Sequence, residues 1–178
     1  MDKTSRSERL YSYHFSFQEL SITKPRLEFL MGYEHGAIPE SISRIIKEAL
    51  DHAPGYCAIQ GGFVIKDTIS FDGNTRLLTV DNVTFNPGYI VYNQVEKAEM
   101  MAIFACTSGP GISDWSKKLM AEGDPAAGYI VDLIGSEIVE RAADRIHVLL
   151  SGIATASGCR VSNRYSPGYC GWDVSEQH

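Results

Sequence analysis

An arginine, a proline-glycine pair and three aromatic rings fall close together near the end of the chain, in Arg164-Tyr165-Ser166-Pro167-Gly168-Tyr169-Cys170-Gly171-Trp172. These residue types suit recognition of a small zwitterion. A guanidinium is a planar fork that donates two parallel hydrogen bonds to a carboxylate. Proline holds φ at about -65° and glycine takes positive φ at no steric cost, so Pro167-Gly168 predicts a type II turn. Glycine at such a turn lets a ligand approach the main chain, with its N–H and C=O groups open to recognition. Tyr169 and Trp172 supply aromatic walls. A strand-to-helix corner with exposed rings uses the same residues, and composition alone favours that plainer reading.

Other reactive groups are scattered. Cys57, Cys106, Cys159 and Cys170 are isolated, with no Cys-x-x-Cys and no paired histidines, which argues against zinc. The first three sit in apolar or β-like stretches, where a free cysteine acts as a small hydrophobe. Cys170 stands in the turn, and with His14, His35, His52 or His147 it defines a cysteine-hydrolase alternative. No catalytic motif surrounds any of these histidines. Ser108-Gly109-Pro110-Gly111 lacks the Gly-Lys-Ser/Thr ending of a phosphate loop, which sets nucleotide hydrolysis aside.

The chain of 178 residues is one domain's worth, so a single domain over residues 1–178 is expected. Apolar residues at 44% and charged residues at 21% are ordinary for a globular protein. A net charge of -6 argues against a nucleic-acid partner, which calls for a basic footprint. No apolar run approaches the roughly 18–20 residues of a membrane span, and the start lacks a secretory apolar core, so the expected location is the cytoplasm.

The elements that must position the turn are legible in part. Tyr11, Tyr13, Phe15 and Phe17 alternate, predicting a strand across residues 11–20. Pro25 opens a short helix closed by Gly32, and Pro39 starts a second with Ile42, Ile45, Ile46, Ala49 and Leu50 on one side. The middle of the chain reads as β. Residues 56–65 and 75–80 are strand-like around a turn at Asp72-Gly73-Asn74, and a turn at Asn86-Pro87-Gly88 precedes Tyr89-Ile90-Val91-Tyr92. The apolar run 100–107 has strand length, and a helix over 113–122 follows.

The longest helix starts at Asp124 as N-cap with Pro125 behind it. Ile130, Ile134, Ile138, Ala142 and Ile146 recur at i+4, while Asp132, Ser136, Glu140 and Asp144 form a polar row rotated away. Gly135 interrupts the apolar side and predicts a close backbone approach. Gly158 ends this region, and residues 159–163 read as a short strand feeding the turn. Asp173 and Glu176 make a capping-box pattern, yet the sequence stops at His178. A helix start with no helix behind it predicts a fragment lacking its C-terminal part, or a chain completed by another polypeptide.

Arg164, Pro167, Gly168 and Tyr169 match the R-x-x-P-G-Y signature of the S-adenosylmethionine-binding activation domain of cobalamin-dependent methionine synthase, which the segment resembles. Further ordered matches resemble free-standing relatives of that domain. They are Leu27-Glu28-Phe29-Leu30-Met31-Gly32-Tyr33 with Pro39-Glu40, Asn93-Gln94-Val95 through Cys106-Thr107-Ser108-Gly109, and Gly123-Asp124-Pro125 through Ser136, Glu140 and Asp144. Together they cover most of residues 27–177.

The resemblance implies an α+β fold, a twisted and largely antiparallel sheet with packed helices. It implies a module that binds S-adenosylmethionine and offers its methyl group to cobalamin carried by a partner, either methionine synthase or another corrinoid protein. One electron, usually from flavodoxin, completes that reaction. Arg164 aligns with the motif arginine and suits the ligand carboxylate. Ser166 and Gly168 would make main-chain contacts, Tyr169 would lie against the adenine or the sulfonium, and Glu140 would hold the ammonium.

Each role has a plainer counterpart: a surface salt bridge for Arg164, packing for Tyr169, and a solvent-facing polar row for Glu140, with Asp144 behind it. Trp172 either caps the pocket or packs beneath the corner. Departures from the pattern also count. Tyr165 and Ser166 replace a smaller apolar pair, no match exists for an acidic residue from an N-terminal segment, and a following helix and serine-rich strand are missing. These departures support the alternative of a non-catalytic docking or scaffold protein that keeps the fold.

Overall fold

In the structure, a computed structural model that describes residues 10–33 and 37–177, six strands and five α-helices form. The strands are β1 (Leu10–His14), β2 (Gln60–Lys66), β3 (Ile69–Asp72), β4 (Leu77–Val80), β5 (Val83–Phe85) and β6 (Met101–Thr107). The helices are α1 (Lys24–Leu30), α2 (Glu40–His52), α3 (Gly88–Val95), α4 (Pro110–Ala121) and α5 (Pro125–Ala156), with 3-10 turns at Gln18–Leu20, Ala53–Tyr56 and Val174–Gln177. His35, His178 and the start of the chain lie outside the described residues.

The strands make two three-stranded sheets, ordered β1-β2-β6 and β3-β4-β5, and both pairings of the second sheet are antiparallel. The predicted α+β class with antiparallel pairing is therefore present, with its strands shared between two sheets. No helix among the described residues is long and apolar enough to cross a membrane.

The chain divides into two compact units, one of which comprises Ser12–Gly62 and Ala105–Val148. The isoleucine stripe of α5 builds its core. Ile130, Ile134, Ile138 and Ala142 are fully buried among Leu27 of α1, Ile46 and Ala49 of α2, and Ile112 of α4. Burying each such isoleucine stabilises by about 1.5–3 kcal/mol. Gly135 does not mark the predicted backbone approach. A Cβ there would stand 2.8 Å from Cγ2 of Ile112, so a side chain of α4 fills the notch. A close backbone approach falls instead at Gly111, among other glycines, where a Cβ would lie 2.5 Å from the Tyr56 carbonyl oxygen.

Asp124 caps α5 as predicted, its Oδ1 accepting the Ala127 N–H at 3.0 Å. Asp124→Ala is expected to cost about 1 kcal/mol, read as a lowered thermal midpoint, whereas Asp124→Ser retains most of that. β1 stops sooner than the alternating pattern suggests. Ser16 N–H donates to Glu19 Oε2 at 2.6 Å and Glu19 N–H donates to Ser16 Oγ at 3.3 Å, a reciprocal pair of bonds where the chain leaves the strand for the 3-10 turn Gln18–Leu20.

The other unit comprises Phe63–Phe104 with the described residues before Ser12 and after Val148. Phe63, Leu78, Val80, Val91, Tyr92 and Val95 are among its buried apolar residues, with the Phe71 ring edge-on to Tyr92 at 5.9 Å. Residues 89–92 are helical rather than β-like. A strand would put Tyr89 and Val91 on one face, but Tyr89 is 60% exposed and Val91 1%. Val91, Tyr92 and Val95 instead share one face of α3, a spacing that a short apolar run carries as readily as a strand's.

The strand predicted over 75–80 begins only at Leu77, because the preceding turn extends to Arg76. The Asp72 carboxylate accepts the Asn74 N–H at 2.9 Å and the Thr75 hydroxyl at 2.6 Å, and these bonds hold its pKa below the usual value. Likewise residues 56–65 start in a 3-10 turn, and β2 begins at Gln60. Residues 159–163 form no strand. Cys159 N–H closes the end of α5 on the Ala154 carbonyl at 2.9 Å, and residues 160–163 join no ladder among the described residues.

Candidate functional site

The predicted type II turn is present. Tyr169 N–H donates to the Ser166 carbonyl at 3.2 Å, and Gly168 has φ of 95°. A second turn follows directly. Trp172 N–H donates to the Tyr169 carbonyl at 3.0 Å, across Cys170 and Gly171 with φ of 54° and 81°. Gly168 N–H then donates to the Trp172 carbonyl at 2.8 Å, locking one turn to the other. The Gly168 N–H, expected to face a ligand, therefore serves the loop itself, as does the Tyr169 N–H. Side chains carry what remains: Arg164 and Ser166 are half-buried, and Tyr169 is 65% exposed.

Trp172 packs beneath the corner. Its ring lies edge-on to Phe85 at 6.3 Å, and its Nε1–H donates to Glu176 Oε2 at 2.8 Å. The Glu176 carboxylate also accepts the Asn86 N–H, at 3.0 Å to each oxygen. The predicted capping box is thus only half formed. Asp173 Oδ1 accepts the Ser175 N–H at 2.8 Å, which holds its carboxyl below the usual range, but Glu176 turns to Trp172 and Asn86 instead of the Asp173 amide. Gln177 Nε2 donates to the Pro167 carbonyl at 3.0 Å, tying the 3-10 turn Val174–Gln177 to the type II turn.

Arg164, Ser166, Gly168 and Tyr169 thus stand together in one unit, while Glu140 belongs to the other. Glu140 is exposed on α5, as are Asp132, Ser136 and Asp144 of the same polar row. The carboxylate that α5 buries is Glu137, 3% exposed, which sequence reasoning passed over. Its Oε1 accepts Arg26 Nε at 3.1 Å and Arg141 Nε at 2.8 Å. The signal was in the spacing: Glu137 falls three residues after Ile134 and seven after Ile130, on the apolar stripe, with Arg141 one turn further.

An open concavity lies elsewhere, lined by Ser12, Gln60, Gly61, Gly62, Ala105, Cys106 and Thr107, with none of the candidate ligand residues in its wall. Burial pushes the Cys57 thiol up to about 11, and its Sγ donates to the Ala53 carbonyl at 3.0 Å, so it is no thiolate nucleophile. Cys170 is exposed in the second turn.

The fold is one already seen in a solved structure. The chain matches the crystal structure of the MetH reactivation domain bound to AdoHcy with a TM-score of 0.61 and 16% sequence identity, over 90% of this chain. The match spans 65% of that domain's chain, and at this identity it defines a shared fold. The sequence matches no protein-family model, and no curated protein matches it.

Proposed function

We propose that this chain is a cytoplasmic S-adenosylmethionine-binding module that serves the reductive methylation of cobalamin on a partner protein, methionine synthase or another corrinoid methyltransferase. The observation that carries the reading is the formed turn at residues 166–169, two residues beyond Arg164, within a fold shared with a domain solved with AdoHcy. In this reading Arg164 binds the ligand carboxylate through its planar fork, Ser166 and Gly168 shape the turn around the ligand, and the exposed Tyr169 ring lies against the adenine or the sulfonium. The cobalamin of the partner would be the methyl acceptor, with one electron from flavodoxin or a similar donor, the methyl group from the sulfonium and S-adenosylhomocysteine as the product left behind.

Calorimetric titration with S-adenosylmethionine tests the reading, and no binding at millimolar ligand would sink it. Arg164→Ala is expected to weaken binding on the order of 10- to 150-fold, the value of hydrogen bonds to a charged group. Equal affinity in that variant would remove the carboxylate role. Capture of a corrinoid protein, followed by methyl transfer to its cobalamin, addresses the partner.

A docking or scaffold protein that keeps the fold without the ligand is the second reading. It draws on the internal use of the Gly168 and Tyr169 N–H groups, which leaves the turn fewer main-chain donors for a ligand. Methyl transfer to cobalamin would exclude it.

A further inference from the structure

We propose that Glu176 is the positioning residue of the ligand loop, a carboxylate fastening that holds residues 164–172 in their binding geometry. The inference rests on the reading of that loop as the S-adenosylmethionine site. By itself the loop is held weakly. It consists of two tight turns closed by single backbone hydrogen bonds, its Gly168, Tyr169, Cys170 and Gly171 are exposed, and Cys170 carries a left-handed φ of 54° that costs a non-glycine residue strain.

Glu176 supplies what the loop lacks. Its half-buried carboxylate takes donors from two places at once, the Trp172 indole at 2.8 Å and the Asn86 N–H at 3.0 Å. Hydrogen bonds to an ionised acceptor are the strong kind. Asn86 lies between β5, which pairs with the β4 strand that buries Leu78 and Val80, and α3, which buries Val91. From Trp172 the restraint runs on through its carbonyl, which accepts the Gly168 N–H at 2.8 Å and so reaches the type II turn. Gln177 adds a second tie to the Pro167 carbonyl at 3.0 Å. The path from Asn86 to the turn thus passes through one carboxylate, and a binding constellation loosened by even small displacements loses affinity.

The full chain and its Glu176→Ala, Glu176→Gln and Trp172→Phe variants are compared by S-adenosylmethionine calorimetry and by amide hydrogen exchange. Glu176→Ala is expected to weaken binding about tenfold, whereas Glu176→Gln loses less, because an amide oxygen at the Oε2 position still accepts both donors although its NH2 then faces the Asn86 N–H. Trp172→Phe, which keeps the ring and loses the indole donor, should fall between them. Exchange at Asn86, Gly168 and Trp172 should quicken in Glu176→Ala while Ile134 and Ile138 of α5 stay protected.

Wild-type affinity retained in Glu176→Ala overturns the proposal, as does a Gln variant that falls as far as the Ala variant. A wild-type chain that binds no ligand defeats the functional reading. In that case unchanged exchange at Asn86 and Gly168 in Glu176→Ala defeats the fastening, and faster exchange there upholds it.

Discussion

Replacing both Arg26 and Arg141 by methionine is expected to lower stability by about 3 kcal/mol, at the low end of the ~3–5 kcal/mol typical for stripping a buried ion of its partners. Glu137 is the reason. Its side chain is 2% exposed, and the two guanidinium Nε atoms are the charged donors it has, at 3.1 and 2.8 Å. Both arginine side chains are more than a third exposed, at 39% and 38%, so water already screens part of their attraction. What the double variant leaves behind is an uncompensated carboxylate in the isoleucine core of α5.

The contrast that isolates this cause is a third substitution. Adding Glu137→Leu removes the stranded charge, and the triple variant should return to within about 1 kcal/mol of the natural chain. Urea unfolding of the three proteins measures both differences. A double variant as stable as the natural chain would show that the triad does nothing for the fold. A triple variant no better than the double would mean that lost packing of the arginine stems, not a stranded charge, causes the deficit.

Gly88→Ala is expected to cost about 2–4 kcal/mol, the size of effect that backbone strain and overpacking produce together. Gly88 has φ of 71°, where an alanine is strained by roughly 1–2 kcal/mol. Its added Cβ would also stand 2.7 Å from the carbonyl oxygen of Gly171 and 3.0 Å from the carbonyl carbon. Both are backbone atoms, so no side-chain rotation relieves the contact; either α3 or the second turn of the loop 164–172 has to shift.

The control is Gly73→Ala in the turn between β3 and β4, where a Cβ meets nothing within 4 Å. That change should be neutral or stabilise by up to about 1 kcal/mol through a less flexible unfolded chain. The same loss from both substitutions, measured by urea unfolding, would refute the steric account of Gly88.

Elements with short-range causes were legible. Asp124 caps α5, Pro125 follows it, and the i+4 isoleucines that predict a buried stripe are buried. Pro167-Gly168 forms the expected type II turn because proline and glycine set φ by themselves, whatever surrounds them. Where a short apolar run fits two periods, the reading failed: residues 89–92 became the first turns of α3 because burial of Val91, Tyr92 and Val95 decided between strand and helix. Residues 159–163 look like a strand in composition, yet a strand exists only where another strand pairs with it.

The candidate site divides the same way. By itself the sequence determined the turn, the placement of Arg164 just before it, and the cap and stripe of the long helix, all of which follow from bonds and φ preferences spanning a few residues. Only the tertiary structure decided that Trp172 packs on Phe85, that Glu176 fastens Trp172 to Asn86 ninety positions away, and that Glu137 draws Arg26 across from α1. Each of those arrangements includes a contact between residues that are remote in sequence. No local preference encodes such a pair, because its energy exists only once folding has removed the surrounding water and left one partner within reach.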